Sequence, residues 1–517
     1  MKRLSQFFTP EIAQSAGCSA QFGVDPGVSG LVYDSRKAES GNLYFALPGL
    51  HYDGHTFVQE AVAKGCSVIV HQRNLETYHP GVAYIKAENS RFAMSPIAAA
   101  FYGFPSRRLQ VIGVTGTEGK STTVYLIYQL LKLAGNPAGF VSTVQFDDGT
   151  GEQWNPEHQT TPEAPETQGL LARMRDQNLA YAVLESSSHG LSQKTNRLGD
   201  VSFSAAVMTN VAHEHLEFHG TWEQYRYDKA NLFRGLKREN AFGVLNADDP
   251  SAQYFTEATT RPVYTFSVAG RKADLSLHSI ESHSEGNQYT IRGETDARIC
   301  DRLPGAFNAG NVLASLLATS RFLSVPVREL IPFVPRLKPV RGRMTAIRRG
   351  QPFEVLVDFA HTPSSFRAVF PPFQEQKAKT GGRLISLFGS AGERDTKKRS
   401  EQGAIAGAWS DIVILTDEDP RGEDPASILE EIAQGLPHGK LGETLFLIPD
   451  RPAAIRKAFS LARAGDIVLL LGKGHENSII YAQEVKPYDE IREAEVALEE
   501  LGYISGGSKP REMHPQI

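Results

Sequence analysis

A chain of 517 residues is too long for one ordinary domain and suits about three. Its net charge of −5 argues against nucleic acid as a main partner, because phosphate recognition wants a basic surface. No apolar run approaches the ~20 residues of a membrane helix, and three scattered cysteines, Cys18, Cys66 and Cys300, suggest neither a disulfide framework nor a zinc cluster.

The opening "MKRLSQFFTPEIAQSAG" starts with two basic residues, but Gln, Thr, Pro and Glu break up the residues after them. It lacks a secretory apolar core, so a reducing, cytoplasmic setting is expected. Short strands and helices come next, "NLYFALPG" and then "AVAKGCSVIVHQ", and "FYGFPSRRLQ" at 101–110 reads as a linker. "VIGVTGTEGKSTTVYLIYQLLKLAG" is an apolar β-branched run, a glycine turn and an amphipathic helix stopping at Gly135, the start of an α/β nucleotide-binding sheet. "AYAVLES" and "SAAVMTN" are further strands, and 265–300 reads as meandering strands and turns. After "RLKPVRGRM" the pattern restarts with "FEVLVDFAH", "RLISLFGS", "DIVILTDED" and "DIVLLLGKG". That is a second doubly wound, Rossmann-like sheet, with chemistry expected at the carboxyl ends of its strands. The expected fold is α/β in three domains, 1–106, 107–340 and 341–517, the central one a P-loop-type ATPase sheet.

"GTEGKST", Gly116 to Thr122, is a compact relative of the phosphate loop, with Val114 where the full pattern has its first glycine. Gly116 and Gly119 let backbone N–H groups of Thr117 and its neighbours turn toward phosphate oxygens. Lys120 can reach terminal phosphates, and the Ser121 hydroxyl can bind Mg²⁺. The helix beyond, with Thr122 in its first turn, aims its positive end at the same anion. The alternative is an ordinary strand-to-helix turn with a surface lysine; phosphate binding is favoured because strand, glycine loop and helix are all in place. Glu118 is awkward there, since phosphates repel a carboxylate that does not turn away.

"AVLESSSHGL" puts Glu185 at a strand's end, and "TNVAHEHLEFHGTWEQYRYDKANLF" offers His213, His215, His219, several acids and Lys229. Histidines and carboxylates gathered after strand ends can hold a hard divalent cation. Glu185 and His215 are the better candidates because each comes after a strand. Lys229 alone reads as a helix-surface lysine. Ser187 and His189 are explained as loop and substrate contacts without invoking a hydrolytic triad.

In this order the motifs resemble those of the Mur ligases, the ATP-dependent ligases that build the peptide of the peptidoglycan precursor, and most closely the MurE branch, which adds the third amino acid. "VYDSRKAESGNLYFALPGLHYDGHTF" resembles the UDP-binding opening and "HQTTPE" the muramyl-substrate segment. The resemblance implies UDP-sugar contacts at Ser35, Thr160, Thr161, Ser188 and Arg197. "GTEGKSTT" has Glu118 where Asn is usual; with "GAFNAGNVLAS", "VRGRM" and "VDFAHTP" it implies ATP contacts at Gly116 through Thr122, Asn308, Asn311, Arg343, Asp358 and His361. It further implies that Lys229 is carbamylated and joins Ser121, Glu185 and His215 around Mg²⁺, with Lys120 catalytic beside them. Asp358 and His361 would close over ATP, which requires a domain movement. "GERDTKKR", "DEDPRGEDP" and "GKGHE" imply an amino-acid site at Arg394, Glu418, Asp419, Arg421, Gly472 and Glu476.

The implied reaction joins a diamino acid to UDP-MurNAc-L-Ala-D-Glu through an acyl phosphate. Both partners are small molecules, no nucleic acid or membrane insertion is called for, and a monomer is expected. Arg421, Arg394 and Glu476 favour meso-diaminopimelate narrowly. Asp419, standing where that branch has Asn, favours the bare amine of lysine or ornithine. Another Mur-type or folylpolyglutamate-type ligase is the alternative. Whether the acids of "TDEDPRGEDP" form a solvated loop or a substrate reader stays open at this point.

Overall fold

The computed structural model describes every residue except 22, 50–51, 156–158, 213–215, 284–285 and 504–517. The candidate ligand His215 and its neighbour His213 therefore lie outside the described residues. Two compact units are present: Met1–Ser279 with Tyr289–Ile299 and Ala309–Leu337, and Ile280–Gln288 with Cys300–Asn308 and Lys338–Ile517.

Besides the short pair Lys2–Arg3 and Gly27–Val28, the first unit carries two large sheets. In the smaller one, Gly30–Val32, Asn42–Phe45, Val68–His71 and Ala83–Ala87 run parallel, and Cys18–Gln21 closes the edge antiparallel to Ala83–Ala87. The centre of the larger sheet is six parallel strands in the order Ala138–Val141, Tyr181–Glu185, Gln110–Thr115, Ala205–Met208, Phe242–Asn246 and Val263–Ser267. These strands are apolar almost throughout because helices cover both faces, as parallel sheets require. On one face Val111, Ala182, Leu184 and Met208 belong to the core cluster with Leu171, Met174 and Phe233. Of the stretch expected to meander, the parts from Leu275 onward form the strands Leu275–His283, Gly286–Gly293 and Ala297–Cys300.

The second unit is built on parallel strands ordered Glu354–Asp358, Ile467–Leu471, Leu384–Phe388, Ile412–Leu415 and Leu445–Leu447, with a short antiparallel strand Thr345–Ala346 at one edge. Each of the four apolar runs read as strands in this half contains one of these. Connections to neighbouring strands leave from their carboxyl ends, so Asp358, Thr416 and Gly472 all emerge on one side of the sheet, the side where such folds bind ligands.

Candidate active site

The strand Gln110–Thr115 lies mid-sheet, between the strands that end at Glu185 and Met208. Beyond it the chain must turn tightly. Gly116 has φ 151°, and a Cβ there would fall 1.9 Å from Thr209 Oγ1, so no side chain fits. Gly119 is left-handed at φ 82°, and its Cβ position is 2.4 Å from Asn311 Oδ1. Lys120–Leu133 comes next as a helix closed by Gly135, with Asn136 N–H on Leu131 O and Gly135 N–H on Lys132 O.

The loop is fixed by its neighbour strand. Asn210 accepts from Glu118 N–H at 2.9 Å and donates to Glu118 O at 3.1 Å, while Thr209 Oγ1 donates to the same carbonyl at 2.6 Å. Thr117 N–H donates to Asn210 O, and its hydroxyl meets Tyr225 OH at 3.0 Å. Lys120 Nζ curls back to donate to Thr117 O at 2.7 Å. Ser121 Oγ donates to Glu185 Oε1 at 3.0 Å; Glu185 Oε2 accepts from Thr143 N–H and Oγ1 at 2.8 and 2.9 Å. Lys229 is buried rather than on the helix surface: its ammonium donates to Gly116 O and lies 4.6 Å from the Tyr225 ring centre. The structure thus brings Gly116, Thr117, Gly119, Lys120, Ser121, Glu185, Lys229 and Asn311 together. Thr122 sits in the first helical turn, and Asn308 donates to Pro304 O.

Beside Glu185, Thr161 Oγ1 stands 2.9 Å from Glu185 O and accepts from Ser187 N–H. Arg197 reaches Thr161 O at 2.8 Å and Glu163 at 2.9 Å. Ser188 Oγ is 3.0 Å from His219 Nε2. Thr160 is half-buried next to this group. Ser35 instead bonds to the helix Val58–Ala63 and its cap, with its hydroxyl on Glu60 and its carbonyl taking Lys64 Nζ. Ser121 Oγ and the Glu185 carboxylate form a hard oxygen pair suited to a divalent cation. Among the described residues no group of three His, Cys, Asp or Glu completes it.

In the second unit Asp358 accepts from Met344 and Ala360 N–H groups; burial raises its pKa while Arg343, stacked 4.7 Å from the Phe359 ring, opposes the rise. His361 Nδ1 meets Phe359 O at 2.9 Å. Around the strand ends at Thr416 and Gly472, Lys473 is fully buried between Asp419 at 2.8 Å and Glu476 at 2.5 Å. Glu418 Oε2 is buried without a hydrogen bond and packs so close to Gly472 that a Cβ there would lie 2.9 Å away. Asp417 takes the Tyr481 hydroxyl at 3.0 Å and is pushed up to about 6 by burial. Glu476 is pushed up to about 7, first by burial, then by Asp419 and Glu418, against the pull of Lys473. Arg421 holds a left-handed φ of 55°, bonds Ile480 O through its N–H, and keeps a buried Nε without a partner. Arg394 is exposed.

Three family models match: "Mur ligase family, catalytic domain" over 27–102, "Mur ligase middle domain" over 114–319 and "Mur ligase, glutamate ligase domain" over 342–474. The chain is 50% identical over 499 residues to the UDP-N-acetylmuramyl-tripeptide synthetase of Treponema denticola, with 91% of this chain and 93% of that one covered. The chain belongs to the Mur ligase family. It is also 36% identical over 488 residues to the UDP-N-acetylmuramoyl-L-alanyl-D-glutamate--2,6-diaminopimelate ligase of Geobacillus kaustophilus, covering 93% and 96%. A solved structure of a ligase of that name, 29% identical, superposes with a TM-score of 0.58 over 92% of this chain and 95% of that one. This Mur ligase is accordingly an ATP-dependent ligase of the MurE, tripeptide-synthetase branch, acting in peptidoglycan synthesis.

The run "TDEDPRGEDP" in this Mur ligase divides in two. Asp417, Glu418, Asp419 and Arg421 line the strand-end cluster. Glu423 instead pairs with buried Arg399 at 2.9 Å, and Asp424 caps the helix Pro425–Ala433 through Ser427 N–H. Sequence reasoning missed Thr209 and Asn210, although "TN" closes an apolar strand in "SAAVMTN". It also missed Thr143 and Tyr225, whose partners are distant in the chain, and Lys473, which joins distant Asp419 to nearby Glu476. Among the described residues no helix is long and apolar enough to cross a membrane.

Proposed function

We propose that this Mur ligase activates the free D-glutamyl carboxylate of UDP-MurNAc-L-Ala-D-Glu and joins it to the amine of a diamino acid. The carboxylate attacks the γ-phosphate of ATP and displaces ADP, the amine attacks the resulting acyl phosphate and gives up a proton, and inorganic phosphate leaves. The observation that carries this is the loop from Gly116 to Ser121 held against Glu185 and Lys229. Phosphoryl transfer needs positioning and charge neutralisation more than covalent catalysis. Lys120 supplies a positive charge at the helix start, Arg197 and Thr161 orient the peptide arm, and Asn311 backs the loop at Gly119. Mg²⁺, held by Ser121 and Glu185 and, by resemblance, by His215 and a carbamylated Lys229, would neutralise the phosphates.

For the amino acid, the charge balance supports lysine or ornithine, against the narrow lean toward meso-diaminopimelate taken from counting arginines. Asp417, Glu418, Asp419 and Glu476 are answered by Lys473 and by Arg451, which is itself paired with Glu490 at 2.7 Å, and two of the acids are held in the protonated direction by burial. A bare ammonium relieves that excess more than a zwitterionic end does. The test incubates enzyme, ATP, Mg²⁺ and the UDP-dipeptide with each diamino acid singly and weighs the product by mass spectrometry. A lysine or ornithine adduct is expected. ATP turnover without any adduct would overturn the ligase reading, and an adduct with diaminopimelate alone would overturn the amino-acid reading.

A further inference from the structure

The first unit holds a buried chain of three side chains, two of which, His219 and Asp228, have no part in the proposed ligation. Asp228 Oδ2 meets His219 Nδ1 at 2.7 Å, and His219 Nε2 meets Ser188 Oγ at 3.0 Å. All three are buried, and they come from three elements: Ser188 from the turn after the Glu185 strand, His219 from the end of the short helix Leu216–His219, Asp228 from the helix Trp222–Arg234. The remaining Asp228 oxygen accepts from Gln224 Nε2 at 3.0 Å. A carboxylate partner at Nδ1 sets the tautomer of the neutral imidazole, with its proton on Nδ1. The rings of Phe218, Tyr225 and His189 surround the imidazole at 4.7, 5.2 and 5.4 Å. His219 Nε2 then offers a lone pair, and Ser188 must donate its O–H to it.

The same helix face reaches the phosphate loop. Tyr225, Asp228 and Lys229, spaced i, i+3 and i+4, touch Thr117, His219 and Gly116 respectively. One rigid surface therefore sets both the loop and the serine beside Glu185.

We propose that Asp228 and His219 are positioning residues that lock the Ser188 hydroxyl as a hydrogen-bond acceptor, aimed at an N–H donor on the peptide arm of the sugar nucleotide. This rests on Ser188 being a contact to that substrate. The ligand group it takes is an amide N–H, the one joining alanine to the glutamyl residue being nearest the reacting carboxylate. The bond to His219 leaves Ser188 no proton to give a substrate carboxylate, so carboxylate recognition falls to Arg197.

Two measurements test it. On folded wild-type enzyme labelled with ¹⁵N-histidine, His219 should carry its proton on Nδ1 and none on Nε2; a protonated Nε2 overturns the proposal. Kinetically, the substrate is compared with its ester analogue, in which that N–H is replaced by oxygen. Wild type should lose at least about tenfold in kcat/KM for the ester. Asp228→Asn lets the imidazole turn an N–H toward Ser188, and should lose most of this discrimination while KM for ATP stays put. If Asp228→Asn discriminates as wild type does, the relay is wrong. If Ser188→Ala also discriminates fully, Ser188 is not the substrate contact, and the underlying reading fails instead. Should Asp228→Asn not fold, the tautomer measurement on wild type decides alone.

Discussion

The ammonium of Lys473 stands 2.8 Å from Asp419 Oδ1, so the acid that distinguishes this loop is already answered from within the protein. Ile480 N–H bonds the same oxygen at 3.0 Å. Glu418, like Asp417, has a buried oxygen lacking any hydrogen bond, and since the other Asp417 oxygen is held by Tyr481, Glu418 is the freer carboxylate to meet a substrate ammonium. Glu418→Gln should therefore cut kcat/KM for lysine and ornithine by about tenfold or more, the worth of one charge-assisted bond, and move preference toward diaminopimelate. Asp419→Asn should move it less. The ratio of kcat/KM values for the three amino acids on both variants checks this; a larger swing from Asp419→Asn would make Asp419 the reader.

Gly116→Ala should abolish nucleotide binding. A methyl group at that position falls 1.9 Å from Thr209 Oγ1, and its φ of 151° disfavours any L side chain. Thr209 also ties Glu118 O, so moving it releases the loop. The rest of the sheet does not depend on that turn, so far-ultraviolet circular dichroism should be preserved while ATP affinity, read by a fluorescent analogue, is lost. Retained affinity would show that the loop can shift as a body.

Sequence distance decides how much of this was legible in the chain. "GTEGKST" could be read directly, because strand, glycine turn and helix start are contiguous and each needs particular residue types. The four C-terminal strands were equally plain from their apolar runs, whereas Thr345–Ala346, two residues long, has no period to detect. Lys229 was different. Its spacing suggested a surface lysine, and only the family resemblance gave it a role; burial against Gly116 O depends on the strand Ala205–Met208 lying beside Gln110–Thr115. The pairing of Lys473 with Asp419 spans 54 positions, and His219 with Ser188 spans 31. No local pattern encodes such pairs, because sheet order sets them.

Lys120→Ala should lower kcat/KM by a hundredfold or more, corresponding to ~2–4 kcal/mol of transition-state stabilisation lost with one charged contact. In the structure its ammonium rests on Thr117 O, within the loop it serves, so the fold does not need it elsewhere. Thermal melting of the variant should match wild type. Near-normal ligation by a folded variant would remove the phosphate-loop assignment.

Lys229→Ala should be inactive and partly recovered by short carboxylates such as formate or acetate added to the assay. The buried side chain leaves a space beside Gly116 O and Tyr225 when truncated, and an added anion there can stand in for a carbamate. Full activity without added carboxylate would dismiss the carbamate, and no recovery at any concentration would leave Lys229 a structural prop of the loop.

Glu476 and Asp417 give the amino-acid site a pH signature. The folded protein holds Glu476 at about 7 against an ordinary 4.5, and Asp417 at about 6 against 3.8. In both, the folded state keeps a proton that the unfolded chain has released, so stability should fall as pH rises from about 4 to about 7 and then level off. An incoming ammonium reverses the balance by favouring the charged carboxylate. Binding of lysine or ornithine near neutral pH should therefore release a proton, visible in calorimetry as a binding enthalpy that depends on the ionisation enthalpy of the buffer. Glu476→Gln should remove most of that dependence and flatten the upper part of the stability decline. Binding without proton release in wild type would mean that the ammonium does not reach this cluster, and would return the advantage to a substrate whose distal carboxylate seeks Arg421.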